Sequence, residues 1–92
     1  VTHRRGRALL LSTLGSLLAE QRRYQEAETH FRQALDLHEK DPLTHYHFAV
    51  QVLLPTGRRE EACAHLRRAL ELNPRKPRDR ARIEQALQKN AC

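Results

Sequence analysis

Tryptophan and methionine are absent, aromatic residues reach only 4%, and the longest clean apolar run, Ala8-Leu9-Leu10-Leu11, is four residues long. A membrane span needs roughly 18 consecutive apolar positions, so none is present, and no membrane contact is expected. Ninety-two residues leave no room for a two-domain enzyme with a deep cleft. Glycine-rich phosphate loops are also missing. Cysteine is scarce. Cys63 falls inside a helical pattern and Cys92 at the end, which excludes a disulfide framework and does not match metal-ligand spacing. The pair therefore points to a reducing compartment and a cytoplasmic location, with Cys63 a small residue beside a packed stripe and Cys92 a thiol at a fraying end.

What is present is charge and helical periodicity. Seventeen Lys and Arg against eleven Asp and Glu give a net charge of +6, while 39% hydrophobic residues exclude a plainly disordered chain. The basic start Arg4-Arg5-Gly6-Arg7 before an apolar run looks superficially like a signal peptide. Ser12, Thr13, Gly15 and Ser16 interrupt the run and Glu20 follows, so targeting is unsupported. A beginning at Val1 rather than Met and an end at Cys92 are expected of a piece of a longer protein.

Internal repetition organises the chain. Shifted by 35 residues, positions 23–38 fall over 58–73 with eight identities in sixteen pairs, among them Glu26 with Glu61, Ala27 with Ala62, Ala34 with Ala69 and Leu35 with Leu70. The preceding segments match in chemistry: Leu11 over Tyr46, Leu14 over Ala49, Gly15 over Val50, Leu18 over Leu53. Each unit thus contains two helices. A period of this size marks stacked hairpins, because one hairpin cannot bury its apolar face alone.

Local chemistry sets the boundaries. The first helix is predicted over about 7–21 with a stripe of Leu11, Leu14 and Leu18, and mid-helix Gly15 implies a close contact with the next helix. After a turn at Arg22-Arg23, a second helix over about 24–39 buries Ala27, Phe31, Ala34 and Leu35. Asp41-Pro42 opens a third helix over about 43–54, burying Tyr46, Ala49, Val50 and Leu53. Gly57 offers at its turn the positive φ that Arg22 must manage without. A fourth helix over about 59–72 buries Ala62, Leu66, Ala69 and Leu70. Pro77 opens a fifth, over about 78–89, with Ile83, Ala86 and Leu87 on its apolar side. The expected organisation is a single all-α domain over 1–92, with repeats at 8–42 and 43–76 and a capping helix at 77–90.

Six histidines raise the question of metal or acid–base chemistry. His45 and His47 are two apart and point to different helix faces, and His30 and His65 recur at equivalent repeat positions, which reads as structural. No nucleophile, base and orienting group can be placed together, so catalysis, cofactor and metal are not expected. The run Arg75, Lys76, Arg78, Arg80 and Arg82 could contact phosphates, but it begins at a turn, alternates around a helix and lacks interleaved aromatics for base stacking. Nucleic-acid binding ranks low, and an acidic peptide partner is the better match.

The sequence resembles the tetratricopeptide repeat. Leu14-Gly15 match the family's Leu-Gly step, and Tyr24, Ala27, Phe31 and Ala34 match its second-helix signature. The second unit supplies Tyr46, Gly57, Ala62, Leu66, Ala69 and Pro74. It departs at Val50, where a small residue is usual, and at Arg59, where Tyr is usual. One extra residue and a displaced Pro mark 39–42. The resemblance implies antiparallel hairpins stacked in a right-handed superhelix of five helices, with a concave groove that holds a peptide or helix of a partner protein.

Carried over position by position, the resemblance lines the groove with Ser12, Thr13 and Ser16, then His47, Phe48 and Gln51, then Arg78, Arg82, Gln85 and Lys89. Phe48 is either an exposed recognition anchor or covered, by a missing part of a parent protein or by packing against Leu87. Arg78 and Arg82 match two basic members of the carboxylate clamp known in the family. Ser12, Ser16 and Phe48 replace its remaining members, so a full clamp is not expected. The alternative to groove binding is an architectural or oligomerising segment, in which Leu9 and Leu10 form an end face covered by another chain or missing repeats.

Overall fold

The computed structural model describes residues 3–92, and among these it contains five helices and no strand. Val1, on which the reading of the chain start rests, lies outside the described residues. Helix α1 spans His3–Glu20 and α2 spans Tyr24–Leu37. Helix α3 spans Pro42–Phe48 and runs directly into a π-helical turn, Ala49–Leu53. Helices α4 (Arg59–Glu71) and α5 (Pro77–Lys89) complete the chain. The hairpins α1–α2 and α3–α4 stack side by side, and α5 packs on α4.

The ends follow from local chemistry. Asp41 caps α3: its carboxylate accepts from the Leu43 amide at 3.1 Å and the Thr44 hydroxyl at 2.8 Å, with Pro42 in the first turn. Three helices close with the same pair of reversed hydrogen bonds, seen where Arg23 donates to Leu18, Arg58 to Leu53 and Cys92 to Leu87. That closure needs a left-handed residue, supplied by Gly57 (φ 79°), Arg22 (φ 63°) and Ala91 (φ 55°).

Small residues bring the helices together. Ala8, Gly15 and Ala19 of α1 are buried, as are Ala27, Phe31 and Ala34 of α2. The expected leucine stripe of α1 is displaced: Leu11 and Leu18 are half-buried and Leu14 is exposed. The core continues through Phe48, Ala49, Val52, Leu53, Ala62, Leu66, Ala69 and Ile83.

Phe48 does not belong to a groove. It is fully buried, stacked on Phe31 with centroids 5.6 Å apart, edge-on to His65, with the Arg32 guanidinium 5.0 Å above its ring. The π turn explains this. One extra residue is wound into Ala49–Leu53, where the Leu54 amide bonds the Ala49 carbonyl five residues back. Ahead of the turn the repeat spacing is therefore 34, not 35, so Gly15 corresponds to buried Ala49 and Leu14 to Phe48. The small residue that seemed missing at Val50 is Ala49.

A second correction concerns the cysteines. Cys63 and Cys92 form a disulfide with their Cα atoms 5.5 Å apart, and neither is free. It holds the chain end against α4, where Arg59 also donates to the Asn90 carbonyl at 3.1 Å. The bond removes the argument for a reducing compartment drawn from the cysteine count. No helix among the described residues is long and apolar enough to cross a membrane.

The candidate binding face

Two open troughs run along the face built by α1, α3 and α5. The first, about 220 Å³, lies between α1 and α3 and is lined by Leu9, Ser12, Thr13, Ser16, Leu43 and His47, among others. The second, about 500 Å³, lies between α3 with its π turn and α5, lined by Tyr46, Val50, Leu54, Pro55, Arg82, Gln85, Ala86, Lys89 and Asn90. Residues 43, 46, 47, 50 and 54 recur at helical spacing, so one side of the α3 segment faces both troughs.

The residues proposed for the groove divide accordingly. Ser12, Thr13, Ser16 and His47 line the first trough, and Arg82, Gln85 and Lys89 line the second. Arg78 is exposed outside both and sits 3.9 Å from Asp79. Gln51 is half-buried, lines neither trough and has a buried Oε1 without a hydrogen-bond partner. Its place in the proposed groove, like that of Phe48, is corrected by the one-residue shift at the π turn. Tyr46 and Val50, expected to be buried in the core stripe, are half-buried: they pack against the core and also line the second trough. The extra residue between the repeats was the signal for this shift, but only the structure shows that it is absorbed inside a helix.

Polar groups along the face are largely held in place. The Ser12 and Thr13 hydroxyls donate to the Leu9 carbonyl at 3.0 and 2.8 Å. The Arg82 guanidinium lies 5.0 Å over the Tyr46 ring and 3.6 Å from Asp79, a carboxylate only 6% exposed. Burial, and then the positive charge of Arg82, push the His47 imidazole below its ordinary value despite Asp41 and Asp79.

The opposite face is crossed by ion pairs, and the openings at residues 57–61 and beside the Cys63–Cys92 link are lined mainly by charged side chains. Arg58 grips Glu28 with two bonds of 2.7 Å and reaches Glu61 at 3.0 Å, while Arg32 joins Glu28 at 2.9 Å to Glu61 at 2.7 Å. Hydrogen bonding from Arg58 holds the Glu28 carboxyl down at about 2. Arg68 grips Glu39 at 2.6 and 2.9 Å and holds that carboxyl at about 2 as well. These pairs tie α2 and the loop after it to α4 and its N-cap residue across the two repeats.

The histidines support structure. His45 is buried, with Nε2 2.7 Å from the Glu39 carbonyl and Nδ1 2.9 Å from His65 Nδ1. A carbonyl only accepts, so His45 donates from Nε2, and one of the two Nδ1 atoms donates to the other. His65 faces inward onto His45 and Phe48. No group of three or more His, Cys, Asp or Glu side chains among the described residues could hold a metal.

Comparison with curated proteins gives no match. Two family models, each described as tetratricopeptide repeat, match residues 7–40 and 45–76 and together cover well over half of the chain. With two stacked hairpins, small residues at their contacts and a further C-terminal helix, the chain belongs to the tetratricopeptide repeat family.

Proposed function

We propose that the chain is a non-catalytic protein-interaction module whose partner segment lies along the face formed by α1, α3 and α5. Tetratricopeptide repeats mediate protein–protein interaction, which sets the general role. The observation that carries the specific reading is the contrast between the two faces. The α2–α4 side is crossed by ion pairs that already satisfy one another and its openings, at residues 57–61 and beside the Cys63–Cys92 link, are lined mainly by charged side chains, whereas the two troughs of the α1–α3–α5 side lie beside half-buried apolar side chains.

A photo-crosslinking amino acid at Ser16 or Gln85, compared with one at Gln25 on α2, tests the reading. Crosslinks to a purified partner from the first two positions and not from Gln25 are the expected result. Equal crosslinking from Gln25 would overturn it.

One observation favours a second, architectural reading. Leu10, Leu14 and Leu17 are 60%, 38% and 48% exposed and share one side of α1. Their 34-residue equivalents ahead of the π turn, Thr44 and Phe48, lie on the side of α3 turned toward the first repeat, Thr44 beside α1 in the first trough and Phe48 on Phe31. The leucine side of α1 is thus a stacking face without a neighbour, suited to another repeat or a second copy. Leu9 separates from this end face, because it lines the first trough. Crosslinks from Leu10 and Leu17 alone would favour this reading.

A further inference from the structure

Three contacts fasten the segment after α5 to one side of α4. The Cys63–Cys92 disulfide is the covalent one, and on either side of it Arg59 donates to the Asn90 carbonyl at 3.1 Å and Arg67 to the Cys92 carbonyl at 3.4 Å. Arg59, Cys63 and Arg67 follow one another at intervals of four residues, so both guanidinium side chains flank the sulfur on a single helix face. The two sulfurs differ in access. Cys63 is 4% exposed, whereas Cys92 is exposed and lines two openings, one beside Arg59, Glu60 and Arg67 and one beside Glu84 and Gln88. Apart from this fastening, α5 has a slender hold on the core: Ile83 is its fully buried apolar side chain, with Ala86 and Leu87 partly buried. The same helix supplies Arg82, Gln85 and Lys89 to the second trough, and Asn90, two residues before Cys92, lines it too.

We propose that Cys63–Cys92 is an exchangeable clasp, opened by a dithiol reductant that attacks at Cys92, and that opening it releases α5 from the wall of the second trough. The reductant thiolate bonds to the Cys92 sulfur as the disulfide bond breaks, and the electron pair leaves on the Cys63 sulfur. Arg59 and Arg67 stabilise that leaving thiolate, with Glu60 the opposing carboxylate in the opening, until it takes a proton from water. The reductant's second thiol then attacks its own sulfur in the mixed disulfide, so the reductant departs as a disulfide and both cysteines end as thiols. Attack at Cys63 is shut out by its burial. With the link open, the Lys89 end of α5 keeps only the two solvent-exposed hydrogen bonds from Arg59 and Arg67 and swings away from α3 while Ile83 holds the other end. The exchange does not depend on what the trough binds, and the crosslinking test of the binding face stands apart from it.

The test uses the oxidised 92-residue chain. A brief pulse of glutathione, an acid quench and peptide mass spectrometry locate the mixed disulfide, expected on Cys92 in about 10-fold excess over Cys63. Predominant labelling of Cys63 would overturn the direction of attack. Arg67→Gln should slow reduction by dithiothreitol roughly 2- to 3-fold at low salt, because the leaving thiolate then has a higher pKa. A merely loosened chain end would be reduced faster, and that result would overturn the part given to the arginine. In ¹H–¹⁵N spectra, full reduction should move the amides of residues 83–89 together with those of Tyr46, Val50 and Leu54, while residues 8–31 keep their positions. Cys92→Ser, which takes nothing from the core, should give the same spectrum without reductant. Shifts confined to the surroundings of Cys63 and Cys92 in both samples would overturn the release of α5, and so would shifts spread over all five helices.

Discussion

Gly15 and Phe31 meet so closely that a Cβ on the glycine would stand 2.9 Å from the edge of the ring. Phe31 is fully buried and stacked on Phe48, so its ring has no free direction in which to retreat. The mid-helix glycine thus gives up helix propensity for the approach of α1 to α2, and the same contact is carried from the first repeat into the second.

Gly15→Ala should therefore destabilise the fold even though alanine is the better helix former. A gain of about 1 kcal/mol in propensity is opposed by roughly 1–3 kcal/mol of overpacking. The expected net loss is about 1 kcal/mol, read by urea denaturation, and a stabilised variant would contradict the contact.

Arg22 occupies a left-handed position at φ 63° that the second repeat assigns to Gly57. Left-handed backbone costs a non-glycine residue about 1–2 kcal/mol, partly offset by the greater freedom of glycine in the unfolded chain. Arg22→Gly should raise stability by about 0.5–1 kcal/mol, whereas Gly57→Ala should lower it. Opposite signs in thermal melts would rule out this account of the turns.

Phe48→Ala should act on folding and not directly on recognition. Removing a fully buried phenylalanine costs about 3–5 kcal/mol, and the lost stack would also loosen Phe31, Arg32 and His65. Equilibrium unfolding measures the loss. An unchanged midpoint would mean that the ring is not in the core.

Reduction of Cys63–Cys92 opens a link across a separation of 29 residues. Chain entropy alone assigns such a loop about 3–4 kcal/mol. A thermal melt with and without reductant, and Cys63→Ser alongside it, should show this loss, while the oxidised chain should yield no titratable thiol. A free thiol in the oxidised, folded protein would contradict the link.

Acid should weaken the α2–α4 face. Glu28 and Glu39 titrate at about 2 in the fold, below the ordinary value of 4.5, so each contributes stability that is complete above about pH 4.5 and lost as the pH falls toward 2. Glu28→Gln should remove about 1 kcal/mol at neutral pH, given the partial solvent exposure of the pair, and should flatten the acid limb of the stability profile. An unaltered acid limb would show that Arg58 does not grip Glu28 in solution.

Repeat number, helix order and the turn at Gly57 were legible because each rests on local signals: small residues at fixed spacing, prolines at helix starts, and a period that recurs within the chain. Placed by the same register, Ser12, Thr13 and Ser16 on α1 and Arg82, Gln85 and Lys89 on α5 line the two troughs, whereas Arg78 lies outside them. His47 lines the first trough as well, but Phe48 and Gln51 do not line either, because an extra residue can be placed in a loop or wound into a helix with no change in composition. Its winding at Ala49–Leu53 moved Phe48 inward and brought Tyr46, Val50 and Leu54 to the trough.

By itself, the amino-acid order determined two helical hairpins and a charged final helix, since helix periodicity and turn chemistry act over a few residues at a time. Tertiary structure decided which side of α3 is buried, that His65 turns inward, and that Cys63 meets Cys92. Each of these depends on a partner 17 to 29 residues away, as Phe48 on Phe31, His65 on His45 and Cys92 on Cys63, and no local pattern encodes the distance between such groups.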